Sequence, residues 1–548
     1  HVVVPSGGKA SVDVTVDPRA LPVGLYGGII TATPSTGHAV RTSIGWENEP
    51  KKVNVTIDPR SHTGGPAVFL GSAIPLNDES LPTVDLAQDG PVTVRLQPGL
   101  YTFVGFADAS TPQALDMTLA VADEVSVTTD RRVTLGGRQG RSASVHTPRR
   151  ATFSSSQNSY VRATASGDRI FSYSLMGVSP AGQYVTPTRR ARVGTAAYAE
   201  IFGLDGPGAT PRYDYQLAYP TQGYIPRSGR HLVSQDRLAA VTVRYRAMVA
   251  DTLGLAGWTF ADSTFGAWGV LTGRTMPSTR TSYVTAKLPW AISAAAPDFT
   301  DRWPGTWYED APRTYARGQR ASTEFFTQVA SPTAVFGGGG IRQGDEVLSA
   351  MPINSDSQGR ASWDLGPETT STLTVSDGAT VLASNDVTPE VRFTAPSHPT
   401  TLRFEQNTAR TADWWPLSTR MTSVWTVPTQ PTDPTASPAW LPFLDVQYAV
   451  RGLDSLNRVG AGPVSVGLTV LRATDSGPQV ITPASLSLEW SSDDGTTWHP
   501  ATVSTTGGAT TGTFTIPSGS GPVSLRAAAS DDAGSSVTET VTRAVGVR

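Results

Sequence analysis

Short stretches in which apolar and polar residues alternate recur along the whole chain, whereas long stretches with a helical period are scarce. KASVDVTVDP, at residues 9–18, places Val12, Val14 and Val16 between polar residues and ends at Asp-Pro. KKVNVTIDP, at residues 51–59, has the same pattern. A period of two sends successive side chains to opposite faces of a strand. This pattern predicts a β-rich fold.

Segments at residues 112–117 and 195–201 are the best helix candidates, and neither carries a strong cap. The short strands are separated by clusters of Gly, Pro, Asp and Asn, as is typical of β-sandwiches. The sequence has 13 Trp, 15 Tyr and 16 Phe, which are large enough to build cores. The fold class that we predict is all-β, with tandem β-sandwich domains.

A chain of 548 residues is too long for a single hydrophobic core. Composition and turn clusters predict five consecutive β units, at residues 1–49, 50–147, 148–330, 331–430 and 431–548. The most linker-like segment is VPTQPTDPTASPAWLP, at residues 427–442. Within residues 148–430, the pattern does not decide between two sandwiches and one large jelly roll.

The charge, the apolar stretches and the cysteine content of the sequence argue against several classes of protein. Lys and Arg number 43 against 46 Asp and Glu, so the net charge of −3 argues against a nucleic-acid partner. No stretch approaches the roughly eighteen apolar residues of a membrane span. The chain has no cysteine, which excludes disulfides, thiolate nucleophiles and Cys-ligated zinc.

Two glycine-containing segments resemble ligand-binding loops only loosely. FGGGGIRQGDE, at residues 336–346, lacks the Lys and Ser or Thr that a phosphate loop requires. We therefore predict a flexible loop at the glycines, and the residues after Gly340 alternate like a strand. NSDSQGR, at residues 354–360, lacks the Glu that a calcium loop of the EF-hand type needs at its twelfth position. A hairpin turn is favoured there, and a surface calcium ion at Asp356 stays open as the alternative.

No residue pattern indicates a catalytic, cofactor-binding or metal-binding residue, since the seven histidines form no metal spacing and no GxSxG occurs. Aromatic residues beside carboxylates can bind sugars, and they can equally pin a long loop to a sandwich, which we favour. TWYEDAPR contains the pair Glu309-Asp310, and DWWPLSTR lies at residues 413–420. The candidate ligand-contact residues are Trp303, Trp307, Tyr308, Trp414 and Trp415.

LSLEWSSDDGTTWHPATV, at residues 486–503, combines an acidic pair with one of the histidines. Asp494-Gly495 is a dipeptide that accepts positive φ in a tight turn. We therefore predict a β-hairpin, with Trp498 reaching the core beside Trp490, and not a metal or catalytic site.

The order of turn motifs near the N-terminus is informative. Residues 2–33 contain a Val-Pro-x-Gly-Gly turn, an alternating strand ending in Asp-Pro, and a Pro-x-Gly-x-Tyr-x-Gly turn. This stretch resembles the fibronectin type III-like domain that follows the catalytic domain in large secreted bacterial subtilisin-like serine peptidases. The matching positions are Val4, Pro5, Gly7, Gly8, Asp17, Pro18, Pro22, Gly24, Tyr26 and Gly28.

The resemblance continues downstream. Residues 49–60 and 89–106 resemble a transthyretin-like or carboxypeptidase-regulatory-like β domain, with Pro98, Gly99 and Tyr101 in a Pro-Gly-x-Tyr turn. The hairpin at residues 486–503 resembles that of a terminal immunoglobulin-like or fibronectin-like sandwich. The resemblance thus implies the end of a fibronectin type III-like sandwich first, a transthyretin-like unit second, and further sandwiches after them.

The resemblance implies a secreted, extracellular bacterial protein whose partners are the catalytic domain of the same precursor and a protein or peptide substrate. The HGT and GTS motifs of the subtilisin-like triad are absent from the sequence, so no catalytic residue can be transferred and this chain is expected not to be an enzyme. We expect a non-catalytic accessory region that stabilises the catalytic domain and positions protein substrates. Without an initiator Met or signal peptide, the chain is expected to be part of a longer protein.

Two alternatives remain open. The tryptophans favour a module that binds extracellular or cell-wall polysaccharide, or an adhesive array of β domains. A purely structural stalk, or a subunit held noncovalently after precursor cleavage, would also fit the sequence.

Overall fold

The computed structural model describes residues 2–17, 21–296, 306–363, 366 and 368–548, with the side chains of residues 266–268 and 270 excepted. In this part of the chain, strands form nearly all of the regular structure, α-helices are absent, and one 3-10 turn spans Gln235–Arg237. The predicted all-β class with tandem β-sandwiches is confirmed. No helix within the described ranges has the length and apolar character of a membrane span.

The N-terminal part forms one antiparallel hairpin of β1 (Gly24–Ala32) and β2 (Val40–Asn48). Tyr26 stacks on Trp46 with ring centroids 5.8 Å apart, and its hydroxyl donates to the carbonyl of Pro22 at 2.7 Å. The strand predicted around Val12 and Val14 is not formed, and both side chains are exposed. A strand needs a hydrogen-bonded neighbour, and none of the described residues supplies one there.

The second unit is a two-sheet sandwich around Phe69, Tyr101 and Phe103. Its strands are β3 (Val53–Arg60), β4 (Val68–Pro75), β5 (Val84–Asp89), β6 (Val92–Leu96), β7 (Gly99–Asp108), β8 (Met117–Val127) and β9 (Arg131–Gly136). One sheet has the order β6-β3-β9, and the other contains β8-β7-β4-β5. The predicted Pro-Gly-x-Tyr turn leads into β7, where the Tyr101 hydroxyl donates to the carbonyl of Gln97 at 3.0 Å.

The described residues of the third unit form fifteen strands. They are β10 (Ser144–His146), β11 (Thr152–Ala163), β12 (Ile170–Gly177), β13 (Gln183–Val185), β14 (Ala196–Asp205), β15 (Tyr213–Gln222), β16 (Arg230–Leu232), β17 (Leu238–Tyr245), β18 (Thr252–Asp262), β19 (Gly266–Met276), β20 (Ser278–Thr285), β21 (Pro289–Ala296), β22 (Thr306–Glu309), β23 (Arg313–Thr314) and β24 (Arg320–Phe325). The main sheets have the orders β12-β11-β14-β15-β20-β17-β24 and β19-β18-β21-β22. β13 pairs with β8, so this unit extends a sheet of its neighbour.

Neither helix candidate is a helix. Residues 196–201 belong to β14, which is hydrogen-bonded on both sides by β11 and β15. Residues 112–116 form a turn before β8 begins at Met117. Pairing with two neighbouring strands outweighs the weak local preference for a helix.

In the rest of the chain, the described residues form twenty strands. They are β25 (Gly339–Gln343), β26 (Glu346–Ala350), β27 (Asn354–Ser355), β28 (Ala361–Ser362), β29 (Thr369–Asp377), β30 (Thr380–Asn385), β31 (Glu390–Thr394), β32 (Thr400–Arg410), β33 (Arg420–Thr429), β34 (Ala439–Trp440), β35 (Leu444–Val450), β36 (Arg458–Val459), β37 (Gly462–Arg472), β38 (Gln479–Ile481), β39 (Ser485–Ser491), β40 (His499–Pro500), β41 (Thr502–Thr506), β42 (Ala509–Ile516), β43 (Val523–Ser530) and β44 (Ser536–Val547).

The last two predicted units share a sheet. β33 pairs with β44, so a sheet in the order β30-β29-β32-β33-β44-β43-β39-β40 crosses the boundary predicted at residues 430/431. Smaller sheets in the orders β31-β26-β25-β34 and β35-β37-β42-β41 complete the two halves. One cluster of buried apolar side chains extends from Val329 to Val545. Residues 331–430 and 431–548 are therefore two halves with a common core, where the sequence suggested separate sandwiches.

The predicted Asp-Gly turn between β39 and β40 is confirmed, with φ of 57° at Asp494 and 88° at Gly495. Asp493 accepts a hydrogen bond from the Ser491 hydroxyl at 2.6 Å, so the acidic pair serves the turn. Trp498 differs from the prediction, because it is half-buried with the Arg526 guanidinium 4.5 Å from its ring centroid and does not join the core.

Candidate functional site

The structure places the aromatic candidates for ligand contact in different surroundings. Trp303 lies outside the described residues. Trp307 is half-buried in β22, and Trp414 is partly buried. Tyr308 and Trp415 are 0% and 2% exposed, which leaves neither ring a face for a ligand. For these two residues, the prediction of ligand contact is wrong because both rings are enclosed by the core.

Phe326 contacts aromatic residues from both candidate segments, TWYEDAPR and DWWPLSTR. Its ring centroid lies 5.4 Å from that of Tyr308 and 6.1 Å from that of Trp415. Trp414 packs edge-on against Trp415 at 5.5 Å. We call these four residues the inner cluster. Its geometry supports the alternative role of such aromatics, which is to pin long loops onto a sandwich.

A buried arginine packs against the inner cluster. The Arg410 guanidinium lies 4.5 Å from the centroid of the Trp415 ring, in a cation–π arrangement. Arg410 is 4% exposed, and burial lowers its pKa to about 10. The ring face of Trp415 is thus already occupied by a side chain of the same protein.

The acidic segments considered as sites form a buried ion-pair network. Arg360 donates from Nε to Asp310 at 2.6 Å and from Nη1 to Asp356 at 2.8 Å. Burial raises the pKa of Asp356, although the neighbouring Arg360 opposes this shift. A surface calcium site at Asp356 is therefore wrong, because this carboxylate is buried and ion-paired. Across the described ranges, no group of three or more His, Asp or Glu side chains could hold a metal ion.

Two histidines contact carboxylates at junctions between strands. The ring of His62 stacks on Tyr184 at 3.9 Å, and its Nδ1 lies 2.8 Å from Asp116. Nε2 of His231 lies 2.5 Å from Glu200. Burial by itself would raise the pKa of Glu200. The contacts with His231 and Arg141 lower it by more than burial raises it, so the pKa lies below its ordinary value. These pairs hold adjacent elements together.

An open apolar groove is the candidate site that the sequence did not reveal. It has a volume of about 410 Å³ and lies where β25 and β26 meet the turn at residues 473–478. Two tryptophans on its walls, Trp363 and Trp440, are 44% and 45% exposed. The other apolar walls include Leu348 and Pro478. We call this feature the tryptophan groove.

Glycines 337–340 form one side of the tryptophan groove. A Cβ added at Gly338 would lie 2.2 Å from Cδ of Pro352, and one added at Gly339 would lie 2.8 Å from the carbonyl oxygen of Ala334. Gly339 also has a φ of 126°, which L side chains rarely adopt. The predicted loop is wrong for Gly339 and Gly340, which begin strand β25 and pack closely against their neighbours, whereas the strand predicted after Gly340 is confirmed by β25 and β26.

The lining of the tryptophan groove is mainly apolar and aromatic. Among its described lining residues, Asp475 is the one ionisable side chain. General acid–base hydrolysis of a glycosidic bond uses a pair of carboxylates, and this lining supplies a single one. The Thr474 hydroxyl donates a hydrogen bond to the carbonyl of Gly477 at 2.7 Å, which shapes the turn on the rim. The groove therefore offers aromatic faces and apolar walls to a ligand.

Sequence reasoning passed over Trp363 and Trp440 because each is a single tryptophan without an aromatic neighbour. Trp440 lies in the Pro-rich segment predicted to be a linker, where it forms β34 and pairs with Ile341. The available signal was a large apolar residue in an otherwise polar linker, which a solvated linker does not require.

Comparisons with known proteins add little. No protein-family model and no curated protein matches the sequence. Among solved structures, Escherichia coli alpha-2-macroglobulin activated by porcine elastase is similar over 91% of this chain and 53% of its own length, with 8% identity and a TM-score of 0.12. The chain spans about half the length of that protein, and so low a TM-score carries no argument about fold or function.

Proposed function

We propose that this chain is a non-catalytic accessory array of a secreted bacterial subtilisin-like peptidase, and that it holds extended segments of protein substrates in the tryptophan groove. The observation that carries the proposal is the groove itself, with Trp363 and Trp440 exposed on an apolar surface. Isolated exposed apolar residues are ordinary, whereas a concave patch with two exposed tryptophans is typical of a binding surface.

The shape and lining favour an extended peptide rich in apolar residues or proline. Aromatic grooves bind such segments because a polyproline II chain is already extended and loses little entropy on binding. Trp440 also belongs to β34, which lies at the edge of its sheet. An edge strand offers backbone groups beside the apolar walls. A protein segment can use both, which supports the role in positioning substrate.

Two turns support the resemblance to accessory sandwiches of peptidases. Tyr26 and Tyr101 each donate a hydroxyl hydrogen bond to a backbone carbonyl four residues upstream, on Pro22 and Gln97. This arrangement is similar to the tyrosine corner of immunoglobulin-like sandwiches. The motifs that carried the resemblance thus have a definite structural role.

The proposal predicts that the chain binds unstructured peptides rich in Pro and Leu, measured by fluorescence anisotropy of labelled peptides. Trp363→Ala and Trp440→Ala should each weaken binding by about tenfold, as expected for central aromatic contacts. Trp498→Ala is the matched control, since Trp498 is half-buried and is not among the residues that line the groove. Equal binding by all three variants would contradict the assignment of the groove.

The non-catalytic part of the proposal has its own test. The purified chain, incubated with casein, should release no peptides above a buffer control, and a serine-directed inhibitor should change nothing. Inhibitor-sensitive hydrolysis would show that this chain carries a catalytic site. Association with the catalytic part of the same precursor, tested by co-purification after separate expression, addresses the stabilising role.

Binding of extracellular polysaccharide is the second candidate function. Sugar rings stack their C–H faces on tryptophan, and the exposed rings of Trp363 and Trp440 favour this role as well. The same variants separate the two candidates when soluble cell-wall glycans replace the peptides in a calorimetric titration. Saturable glycan binding that Trp440→Ala abolishes, without peptide binding, would favour the polysaccharide role over the peptidase role.

A further inference from the structure

A second concave feature lies far from the tryptophan groove along the chain, in the third unit. It is a cleft of about 510 Å³ where the loop between β14 and β15 meets β19 and β20. Its lining contains Arg150, Arg274, Arg280 and one acidic residue, Asp205. Most of the remaining wall is the loop at residues 206–211, which is rich in Gly and Pro and contributes little side-chain bulk.

Two of these arginines are deeply placed. Arg274 and Arg280 are 5% and 7% exposed, yet both line the cleft. Arg280 Nη1 lies 2.9 Å from Asp205 and 3.5 Å from Asp214, whereas Arg274 reaches the same two carboxylates only at 3.8 and 3.4 Å. The Arg274 contacts are longer than well-formed charge-assisted hydrogen bonds.

Both buried guanidinium groups keep unused hydrogen-bonding capacity. Nε of Arg274 and Nε of Arg280 are buried and have no hydrogen-bond partner among the described residues. A buried donor without a partner is costly, and a buried charge more so. Both residues line the cleft, so an anion that enters it would meet two guanidinium groups whose positive charge is incompletely paired.

The charge balance identifies the acceptor. Three guanidinium groups face the cleft, against Asp205 at its wall and Asp214 behind it. One positive charge therefore remains uncompensated, and it is matched by a ligand with a single negative charge. A carboxylate is planar and carries two acceptor oxygens, which fits the fork of a guanidinium group. Phosphate or sulfate would bring a second negative charge beside Asp205.

We propose that this cleft is a binding site for a small monocarboxylate ligand, held by Arg150, Arg274 and Arg280. The site uses no residue of the tryptophan groove and does not depend on the proposed function. Arg150 is exposed and contacts the ligand from the rim, whereas the two buried arginines orient its carboxylate.

The test uses the whole chain labelled with ¹⁵N, and it follows the arginine Nε–H signals by NMR during titration with sodium acetate or glucuronate. Arg274→Lys and Arg280→Lys assign the two buried signals. Both signals should shift and saturate with acetate, and should not do so with sodium chloride or sodium sulfate at matched ionic strength. If chloride shifted both signals equally, the shifts would be due to ionic strength alone, and the proposal would be overturned. Saturation by sulfate alone would overturn the choice of a monocarboxylate.

A variant on the rim tests the role of Arg150 without disturbing the core. Arg150→Ala should weaken acetate binding about threefold to tenfold, the range for losing one partly exposed charge-assisted contact. Arg317→Ala, an exposed arginine outside the cleft, is the control and should bind as the unchanged chain does. Unchanged affinity in Arg150→Ala would show that Arg150 does not hold the ligand. The single uncompensated positive charge on which the proposal depends would then be absent.

The pH dependence of acetate binding tests the proposal independently. Burial raises the pKa of Asp214 to about 6, against the opposing effect of Arg274. The groups that face Asp214 are Arg274, Arg280, Asp205, Gln216, Ser282 and Tyr245. Below this pKa Asp214 takes up a proton, and the uncompensated positive charge of the cluster rises from one to two. Acetate should therefore bind more tightly at pH 5.5 than at pH 7.5, and equal affinity at both pH values would contradict a site beside Asp214.

Discussion

The inner cluster and the tryptophan groove differ in the burial of their tryptophans, although Trp415 and Trp363 both lie outside the strands and Trp440 lies in the two-residue strand β34. Trp415 is 2% exposed and lies under Arg410, whereas Trp363 and Trp440 are 44% and 45% exposed. All three follow polar or Pro-rich stretches in the sequence. A tryptophan after such a stretch can be enclosed in a core or stay exposed on a groove, and its neighbours in space decide which.

The neighbours differ in a specific way. Around Trp415, the rings of Phe326 and Trp414 and the guanidinium of Arg410 occupy its surface. Around Trp363 and Trp440, the adjacent wall is a run of glycines that has no side chains to cover the rings. A missing side chain is thus what keeps the groove open.

The largest expected effect is on the buried side of the comparison. Trp415→Ala removes an enclosed ring and leaves a cavity, so the free energy of unfolding should fall by about 3–5 kcal/mol. Urea denaturation followed by circular dichroism measures it. A loss no larger than that of Trp363→Ala would break the distinction between the two clusters.

A pH effect on stability is expected from another buried group, a pair of carboxyl side chains that lies outside the inner cluster. Asp445 accepts from Trp425 Nε1 at 3.1 Å, and its buried neighbour Glu539 accepts from the N–H of Val446 at 2.9 Å. Burial raises the pKa of Asp445 to about 7, and burial together with the Asp445 charge raises the pKa of Glu539 to about 8. The unfolded chain ionises both groups near their ordinary pKa of about 4.

Stability should therefore fall as pH rises from about 5 to 8, because the unfolded chain releases protons that the folded chain retains. Each such proton contributes about 1.4 kcal/mol per pH unit to the decrease. Urea denaturation across this range measures the slope, and Glu539→Gln should make it shallower because one titrating group is removed. An unchanged slope in that variant would contradict the raised pKa of Glu539.

The glycine wall gives an intermediate effect. Gly338→Ala places a Cβ 2.2 Å from Pro352 Cδ, so the chain must shift, at a cost of about 1–3 kcal/mol in unfolding free energy. Gly521→Ala is the matched control, because an added Cβ there meets no atom within 4 Å. If both variants unfold at the same urea concentration, the close packing of this wall is not required.

The smallest expected effect on stability is on the exposed side. Trp363→Ala and Trp440→Ala should each change the free energy of unfolding by no more than about 0.5 kcal/mol, as is usual for surface positions. The same variants should lose most of the peptide affinity. A large loss of stability in either variant would show that the groove is part of the core.

Much of the fold followed from the sequence, whereas the site did not. The period-two alternation around Val53 and Val55 correctly predicted β3, and Asp494-Gly495 correctly predicted the turn before β40. Alternation around Val12 did not become a strand, because a strand forms only where another can pair with it. The aromatic candidates were chosen by local density, which measures how many rings a segment has and not which of their faces stay open.

By itself, the sequence determined the all-β class, the turn positions and the absence of thiol chemistry, because these depend on residue type and on spacing over a few positions. Tertiary structure alone decided that β33 pairs with β44 across residues 430/431, that Tyr308 and Trp415 are enclosed, and that Arg274 and Arg280 meet at one cleft. Strand pairing and burial join residues that lie tens to more than a hundred positions apart, and no local pattern encodes which of them meet.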